Sequence, residues 1–535
     1  MKTMKRISCL LLALALILAL SVTAFAATVD NQTDHSYDAY QIFSGTQAAN
    51  NVALGDVEWG SGINGAEFLA ALKADSRFGV DTDNIFASCT SAADVAAKLG
   101  EYTDKSDVAM AFANVAAQHL TVTKVAIVEN AESVDLSAGY YLLVDTTVVS
   151  DKDDAMNSAL LQVTNNGSIT IEEKYTVPTV DKEVQDSDDT WGEAADWNIG
   201  SDVPFTLTGT LPSNYADYET YFYQFNDTLS SGLSYNDDVK VYVMIGNTKT
   251  DVTASFSTTK GTDADGNPTL TIKCENLKNI TNATIDKDSK IVVEYTAELT
   301  AAAEIGQPGN SNKVTITYSN NPNHSGDGTP STGKTPEDTV LVFTYELDVT
   351  KVDGQNTDIK LKDAEFVLLN SDKTMVAKIT DGKFVEWVAV PDADDGKITY
   401  PDGTTLTSDS DGKFVIAGLD DGNYYLREIK APAGYNLLKD DISVTITATL
   451  NKDENNPALT ALKLSVKEDK ADATATESDG VLDTGVVSTD VKNNKGATLP
   501  ETGGIGTTIF YVLGSVLLVG AAVLLITKKR MSAEK

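Results

Sequence analysis

Lysine, a carboxylic acid and asparagine occur in that order in two successive stretches of the chain: Lys182, Asp227 and Asn312, then Lys351, Glu428 and Asn493. Burial penalises the charged form of a side chain, so a buried lysine becomes a neutral amine and a buried acid keeps its proton. A neutral amine is a nucleophile, and a protonated acid can polarise a carboxamide by donating a hydrogen bond. Attack on the carboxamide and loss of ammonia would leave a lysine–asparagine amide.

The alternation of side chains along a β-strand predicts that all six residues point inward. Each shares parity with apolar neighbours: Lys182 with Val180 and Val184, Asp227 with Phe225 and Leu229, Asn312 with Val314, Ile316 and Tyr318, Lys351 with Leu347 and Val349, Glu428 with Tyr424 and Leu426, and Asn493 with Val487 and Val491. Asn494 competes with Asn493, and parity favours Asn493. The alternative is that the lysines reach solvent from strand ends and the acids form ordinary salt bridges.

The elements that position these residues are mostly predicted strands. Strand patterns occur at 203–208, 239–245, 270–273, 291–299 and 314–318, and again at 347–353, 414–419 and 424–435, with Gly, Asn and Asp between them. Strands at this density predict β-sandwiches. The first 150 residues after position 26 are mixed, with predicted helices at 66–73, 91–99 and 105–120 and predicted strands at 37–43, 122–128, 139–144 and 159–163.

Both ends of the chain carry targeting patterns. Lys2, Lys5 and Arg6 precede an apolar stretch at 7–20 and Ala24-Phe25-Ala26, which predicts a secretory signal peptide over 1–26. Near the other end, an uncharged apolar run at 505–526 is about long enough to span a bilayer as one helix and is followed by Lys528-Lys529-Arg530. Basic residues directly after a span keep that end in the cytoplasm.

Net charge, hydrophobic content and cysteine count exclude some classes of protein. The formal net charge is −37, which argues against binding nucleic acid because phosphates would be repelled. The hydrophobic content of 42% is too high for a disordered acidic chain, so the chain is expected to fold. With three cysteines, one of them in the signal peptide, an exported protein needs a stabiliser other than disulfides.

No enzyme or metal site is expected. The three histidines, His35, His119 and His324, have no nucleophile or metal-ligand companions at useful spacing. The amide chemistry outlined above is a single intramolecular event without turnover. We therefore predict a protein that is not an enzyme, with no cofactor and no bound metal. The alternative for the metal is weak Ca²⁺ binding by the Asp-rich loops at 392–395 and 409–411, which are more often plain solvated turns.

The residues Leu499, Pro500, Glu501, Thr502 and Gly503, followed by the apolar run and the basic tail, resemble the cell-wall sorting signal of Gram-positive surface proteins. That resemblance implies cleavage by a sortase between Thr502 and Gly503 and transfer of the Thr502 carbonyl to an amine. The apolar span would then be a transient membrane anchor. The alternative is an ordinary C-terminal membrane anchor.

Further short sequence segments resemble segments of sortase-assembled backbone pilins. The stretches 56–60 and 139–142 are similar to the N-terminal pilin domain, and 414–419 and 424–435 resemble the B-type repeat of collagen-adhesin-like proteins. The resemblance implies tandem immunoglobulin-like, collagen-adhesin-type β-sandwiches. It also implies isopeptide bonds: Lys182 with Asn312 assisted by Asp227, and Lys351 with Asn493 assisted by Glu428. The first domain shows no equally clear set of residues, so no crosslink is predicted there.

Lys174 is the expected polymerisation acceptor. Backbone pilins carry an acceptor lysine near the end of the first domain, usually in a Tyr-Pro-Lys phrase, and Ile171-Glu172-Glu173-Lys174 occupies that place here. Glu173 stands where the family has proline. Strand parity places Lys174 opposite Ile169 and Ile171, on the solvated face. The alternative is an ordinary surface lysine.

The sequence therefore predicts a signal peptide at 1–26, an N-terminal pilin domain at 27–175, an isopeptide-forming β-sandwich at 176–345, a B-type β-sandwich at 346–498 and a sorting signal at 499–535. The leading hypothesis is a structural shaft subunit of a covalent cell-surface pilus. Its expected partners are a sortase, other copies of itself, accessory pilins and peptidoglycan at the fibre base. The second hypothesis is a wall-anchored adhesin or accessory pilus subunit that binds a host or matrix ligand.

Overall fold

The computed structural model describes residues 26–47, 53–103, 106–156, 158–164, 167–171, 176–322, 331–394, 397–453, 456–496 and 505–532. Over these residues the chain is mainly β, as predicted, with helices in the N-terminal part and near the C-terminus. We describe three successive regions by their sheets and cores: the first region (26–171), the second region (176–343) and the third region (345–496).

The first region combines two small sheets with three α-helices. Its strands are β1 (Ala26–Asn31), β2 (Tyr37–Gln47), β3 (Leu54–Trp59), β4 (Ala126–Val128), β5 (Ser133–Ser137), β6 (Gly139–Asp145), β7 (Ser158–Val163) and β8 (Ser168–Ile171). Its helices are α1 (Gly65–Ala74), α2 (Ala92–Leu99) and α3 (Asp107–Gln118). One sheet has the order β5-β1-β8, and the other has β3-β2-β6-β7 with β4 also paired to β2.

Local sequence explains where two of these helices begin. The Ser91 side chain accepts from the backbone of Asp94, whose carboxylate accepts in return from the Ser91 backbone, which is a capping box. The Ser106 hydroxyl accepts from the Ala109 backbone at the start of α3. The strand predicted at 122–128 is shorter than expected, because the side chain of Val122 is fully exposed and regular pairing begins only at Ala126.

The second region is a sandwich of two seven-stranded sheets. Its strands are β9 (Val180–Gln185), β10 (Trp191–Gly192), β11 (Ala194–Asp196), β12 (Asp202–Gly209), β13 (Tyr223–Leu229), β14 (Leu233–Tyr235), β15 (Lys240–Ile245), β16 (Thr248–Asp251), β17 (Ser257–Thr262), β18 (Pro268–Cys274), β19 (Lys290–Leu299), β20 (Asn310–Ser319), β21 (Thr332–Lys334) and β22 (Asp338–Phe343). One sheet runs β10-β9-β12-β19-β15-β16 with β14 on β19, and the other runs β11-β22-β20-β13-β18-β17 with β21 on β20. Buried apolar side chains from both sheets form one core.

The third region is one large, folded β-structure of eleven strands. They are β23 (Tyr345–Asp353), β24 (Glu365–Leu369), β25 (Met375–Thr380), β26 (Lys383–Ala389), β27 (Leu406–Thr407), β28 (Lys413–Leu419), β29 (Gly422–Lys430), β30 (Ile442–Asn451), β31 (Ala458–Glu468), β32 (Thr476–Asp479) and β33 (Val486–Asn493). The first strand, β23, pairs in parallel with the last, β33. In this parallel pair the start of β23 lies beside the start of β33, and Asp353 near the end of β23 lies opposite Asn493.

A helix follows the third region. It is α4 (Ile505–Met531), and its segment Thr508–Met531 has a mean hydropathy of 2.7. By length and composition it is the one helix of the described residues that could cross a membrane. Residues 1–25, which contain nearly all of the predicted signal peptide, lie outside the described residues.

The second and third regions are joined by polar contacts as well as by the chain. Tyr345 Oη donates to Asp196 Oδ2 at 2.7 Å, and Lys452 Nζ lies 2.7 Å from Asp186 Oδ2. Ile199 packs on Gly418, where φ is +88° and an added Cβ would lie 2.4 Å from the isoleucine. Glycine is therefore required at this close approach, since a side chain would be both strained and blocked.

The first region contacts the second through the loop after β6. Asn320 Nδ2 donates to the backbone oxygens of Val149 and Asp154 at 2.8 and 3.1 Å. The Met156 backbone N–H donates to the backbone oxygen of Asn320 at 2.6 Å. The Asp154 carboxylate in turn lies 3.1 Å from Nε2 of the buried His35. His35 thus links the start of β2 to the loop that contacts the second region.

We expect the stability of the first region to fall as the pH rises. His35 Nδ1 lies 2.5 Å from Asp145 Oδ2, and the hydrogen bond with Asp145 raises the pKa of His35 from 6.5 to about 9, with Asp154 adding to the effect and burial opposing it. A third carboxylate, that of Asp34, lies 3.9 Å from Nε2 of His35. A pKa raised by folding contributes stability that is complete below about pH 6.5 and is lost as the pH rises through about 9.

Urea denaturation at several pH values between 6 and 9.5 measures this effect, with the unfolding of the first region as the observed transition. The expected loss is roughly 2 kcal/mol across that range, the cost of a pKa shift of this direction in a buried ion pair. The variant His35→Gln should remove most of the pH dependence. A wild-type chain whose first region is equally stable at both ends of the range would contradict a charged, ion-paired His35.

Candidate functional site

Lys182, Asp227, Tyr295 and Asn312 form a buried polar cluster between the two sheets of the second region, which we name the Lys182 cluster. Strands β9 and β19 supply Lys182 and Tyr295 from one sheet, and β13 and β20 supply Asp227 and Asn312 from the other. β13 and β20 are direct neighbours, with Asp227 opposite Val314 and Asn312 opposite Leu229. Strand alternation brings all four side chains into the core, where each is at most 3% exposed.

The distances within the Lys182 cluster are those of hydrogen bonds. Lys182 Nζ lies 2.5 Å from Asp227 Oδ1 and 3.3 Å from Tyr295 Oη. Tyr295 Oη donates to Asp227 Oδ2, and Asn312 Nδ2 donates to Tyr295 Oη at 2.7 Å. The phenol therefore lies between the acid and the asparagine.

Burial decides the charge of the Lys182 amine. Desolvation lowers the pKa of Lys182, and attraction to Asp227 opposes this only in part. The amine also lies against two aromatic rings, 5.5 Å from the centre of Phe205 and 5.7 Å from that of Tyr295. Burial likewise raises the pKa of Tyr295 well above its usual value, so the phenol keeps its proton.

Lys351, Glu428 and Asn493 form a second buried cluster in the third region, which we name the Lys351 cluster. Lys351 on β23 and Asn493 on β33 lie on the parallel pair that joins the first and last strands, two residues apart in register. Lys351 Nζ lies 2.5 Å from Asn493 Oδ1 and 3.3 Å from Glu428 Oε1. Asn493 Nδ2 donates to Glu428 Oε1 and Oε2 at 2.9 and 3.0 Å.

The Lys351 amine is partly neutral at physiological pH. Burial lowers its pKa from 10.5 to about 8, against the opposing attraction of Glu428. At pH 7 roughly one-tenth of the molecules have a neutral amine at this pKa. That fraction is enough for an irreversible reaction, because the neutral form is replenished as it reacts. Asn493 is fully buried at this amine, while the neighbouring Asn494 is exposed.

Both clusters thus hold an amine, an acid and a carboxamide close together and away from water, through direct contacts in the Lys351 cluster and through Tyr295 in the Lys182 cluster. These are the groups that amide exchange with loss of ammonia requires, and contact removes most of the entropic cost of bringing them together. A buried ion pair alone stabilises a protein little, because desolvation offsets the attraction between the charges. Two such arrangements in successive regions point to chemistry rather than to packing.

Among the described lysines, Lys182 and Lys351 are the buried ones, and neither lies in the first region. The described cysteines, Cys89 and Cys274, are free, buried and in different regions. The predicted acceptor Lys174 and the sorting residues Leu499, Pro500, Glu501, Thr502 and Gly503 lie outside the described residues. Their roles stay predictions.

The sequence reading of this site missed two features. Tyr295 shares parity with Val293 and Ala297 on β19, and a buried tyrosine hydroxyl needs a polar partner, which was the available signal. The second feature is that Asn312 does not lie on the last strand of its region, since β21 and β22 follow β20 and pair with it. In the third region the asparagine does lie on the last strand.

Two family comparisons cover the C-terminal half of the chain. Residues 345–458 match the family described as the SpaA prealbumin-like fold domain. Residues 491–532 match the family described as the LPXTG cell wall anchor motif. The first covers most of the third region, and the second covers the end of β33, the sorting residues and α4.

The chain is also similar to characterised proteins over most of its length. It is 23% identical over 411 residues to the trypsin-resistant surface T6 protein of Streptococcus pyogenes serotype M6, which covers 67% of this chain and 70% of the relative. Among solved structures, the T6 backbone pilin of serotype M6 Streptococcus pyogenes has 16% identity and a TM-score of 0.46, covering 88% of this chain and 98% of that one.

The full-length major pilin SpaD of Corynebacterium diphtheriae has 18% identity and a TM-score of 0.43, covering 88% of this chain and 98% of that one. The family matches and the T6 relative confirm the resemblance to sortase-assembled major pilins that the sequence motifs indicated.

Proposed function

We propose that this chain is the shaft subunit of a covalent cell-surface pilus, polymerised by a sortase and stabilised by two autocatalytic lysine–asparagine bonds. The observation that carries the proposal is the pair of buried clusters. Each holds a lysine amine, an acid and an asparagine inside a β-domain, in direct contact around Lys351 and linked through Tyr295 around Lys182. A fibre one molecule thick is only as strong as each subunit, so crosslinks inside the subunits suit this function.

The bonds we propose join Lys182 Nζ to the Asn312 side-chain carbon and Lys351 Nζ to that of Asn493. In each case the amine forms the new carbon–nitrogen bond, the carboxamide nitrogen leaves as ammonia, and Asp227 or Glu428 handles the proton that moves between them. Asn493 rather than Asn494 is the partner of Lys351, because only Asn493 lies in the core.

The positions of these bonds fit a subunit pulled from both ends. In the third region, a bond between β23 and β33 carries tension directly from the first strand to the last. The strands that lie between these two in the sequence then bear little load. In the second region, the bond closes the chain from β9 to β20, and β21 and β22 lie beyond it. Those two strands lie outside the closed loop and are held by hydrogen bonds and, for β22, by the buried side chains of Val340 and Val342.

The proposed domains are 27–175, 176–345 and 346–498, with a signal peptide at 1–26 and a sorting signal at 499–535. Sortase cuts between Thr502 and Gly503 and joins the Thr502 carbonyl to Lys174 of another copy. The helix α4 holds the precursor at the membrane until then, and the finished protein lies in the wall and in the surface pilus. Accessory pilins and peptidoglycan at the fibre base are the remaining proposed partners, and the protein has no catalytic turnover.

Immunoelectron microscopy tests the shaft assignment. An antibody to the second region should label fibres along their whole length. Labelling confined to fibre tips or to the wall would reject the shaft and support the alternative, an adhesin or accessory subunit. Cells that carry Thr502→Ala are the control, because they make the protein but cannot join it, and they should show no labelled fibres.

A further inference from the structure

The two clusters differ in how the acid reaches the asparagine. In the Lys351 cluster, both Glu428 oxygens lie within 3.0 Å of Asn493 Nδ2. In the Lys182 cluster, the acid is an aspartate, one methylene shorter, and Asn312 Nδ2 donates instead to Tyr295 Oη at 2.7 Å. The phenol also donates to Asp227 Oδ2, so it bridges the gap that the shorter side chain leaves.

We propose that Tyr295 is a catalytic residue of the Lys182–Asn312 bond, relaying a proton between Asp227 and the leaving nitrogen of Asn312. This inference rests on the bond proposed above. It assigns to the phenol the contact with the asparagine nitrogen that Glu428 makes directly in the third region.

The proton transfers balance with no other reactant. Neutral Lys182 Nζ attacks the side-chain carbon of Asn312, and the protonated nitrogen formed passes one proton to Asp227 Oδ1, 2.5 Å away. Attack turns the carboxamide nitrogen into an amine that can accept a proton, so the hydrogen bonds of Tyr295 Oη with Asp227 Oδ2 and Asn312 Nδ2 reverse direction. Asp227, protonated beforehand on Oδ2, then gives that proton to Tyr295 Oη, and Tyr295 gives its own to Asn312 Nδ2. The carbon–nitrogen bond breaks and ammonia leaves; Tyr295 ends as it began, and Asp227 ends protonated on Oδ1.

The surroundings favour a phenol that passes protons without ionising. Tyr295 is fully buried, and its ring stacks on Phe205 with centroids 5.4 Å apart, which fixes the hydroxyl in place. Because burial strongly disfavours the phenolate, proton gain and proton loss at Oη occur together. Asn312 Oδ1 is buried and has no hydrogen-bond partner among the described residues, so the hydrogen bond from Nδ2 to Tyr295 is the one that orients the carboxamide.

The test is the intact mass of the full chain, purified from cells without sortase, compared with the mass calculated from its sequence after signal-peptide removal. The wild type should lie about 34 Da low, one ammonia for each bond. Tyr295→Phe should lie about 17 Da low, because the third-region bond still forms. Pulse labelling should show the Lys182–Asn312 peptide forming roughly 100-fold more slowly, the usual effect of losing an acid–base group.

Tyr235→Phe is the matched control. Tyr235 packs edge-on against Tyr295, with centroids 5.8 Å apart, and its hydroxyl accepts from the Val239 backbone outside the cluster. It should keep both mass losses. The double variant Asp227→Glu with Tyr295→Phe should regain the bond, since a longer acid can reach Asn312 as Glu428 reaches Asn493.

The possible results separate the relay from the bond. A wild type at its full calculated mass would reject the bond itself. A wild type about 34 Da low with Tyr295→Phe equally low at the same rate would reject only the relay. Lys182→Met gives a folded reference without the bond, and a Tyr295→Phe chain less stable than that reference would assign the hydroxyl to folding and also overturn the relay.

Discussion

The double variant Lys182→Met with Lys351→Met is expected to have its full calculated mass and to melt well below the wild type. Methionine keeps most of the volume of lysine but removes the nucleophile and the buried charge. Each proposed bond closes a long loop; Lys351 and Asn493 are 142 positions apart. By analogy with disulfides, such a closure is worth on the order of 4–5 kcal/mol, or roughly 10–20 °C for a domain of this size. Mass spectrometry and thermal denaturation measure the two effects.

Lys278→Met is the control for this prediction. Lys278 is also half-buried, and desolvation lowers its pKa to about 8, but its Nζ donates to the backbone oxygen of Tyr215, and its hydrogen bond with Asn276 is made by the backbone N–H, not by the amine. Its replacement should leave the mass loss of about 34 Da intact. A wild type at its calculated mass, or a double variant as stable as the wild type, would contradict the prediction.

The sequence was informative about this site because strand alternation is a local property. Lys182 and Lys351 each sit two residues from apolar neighbours, and the pleat alone puts them in a core. The pairing of lysine with asparagine is a long-range property, and it came from resemblance to a family. Asn493 was separable from Asn494 by parity, and the burial of Asn493 agrees with that choice.

What the sequence could not supply depends on how sheets face each other. Tyr295 reaches Asp227 and Asn312 only because two sheets stack, and no spacing along β19 encodes that contact. The polar segment 467–478 has the sequence of a loop, yet β31 extends to Glu468 and β32 begins at Thr476. A polar surface hairpin buries little apolar area, so its sequence resembles that of a loop.

The variant Lys174→Arg is expected to abolish the ladder of covalent polymers while leaving monomer in the cell envelope. Arginine keeps the positive charge, but its guanidinium stays protonated and cannot act as the acceptor amine. Thr502→Ala should have the same effect from the other side of the joint, because the sorting residues would no longer match the pattern that a sortase cuts. Denaturing gels of wall extracts, probed with an antibody to this chain, measure the result, because a covalent polymer survives the detergent.

Lys152→Arg is the matched control for Lys174. Lys152 is an exposed lysine of the same region, in the loop that contacts the second region, and it should support a normal ladder when replaced. A ladder that persists in Lys174→Arg and disappears in Lys152→Arg would move the acceptor to Lys152. Glu173 stands where related pilins have proline. This comparison therefore decides whether polymerisation depends on the Tyr-Pro-Lys motif or on the lysine alone. Loss of the ladder in Lys174→Arg alone would show that the lysine suffices, and that the sortase accepts an acidic neighbour in place of the turn-forming proline.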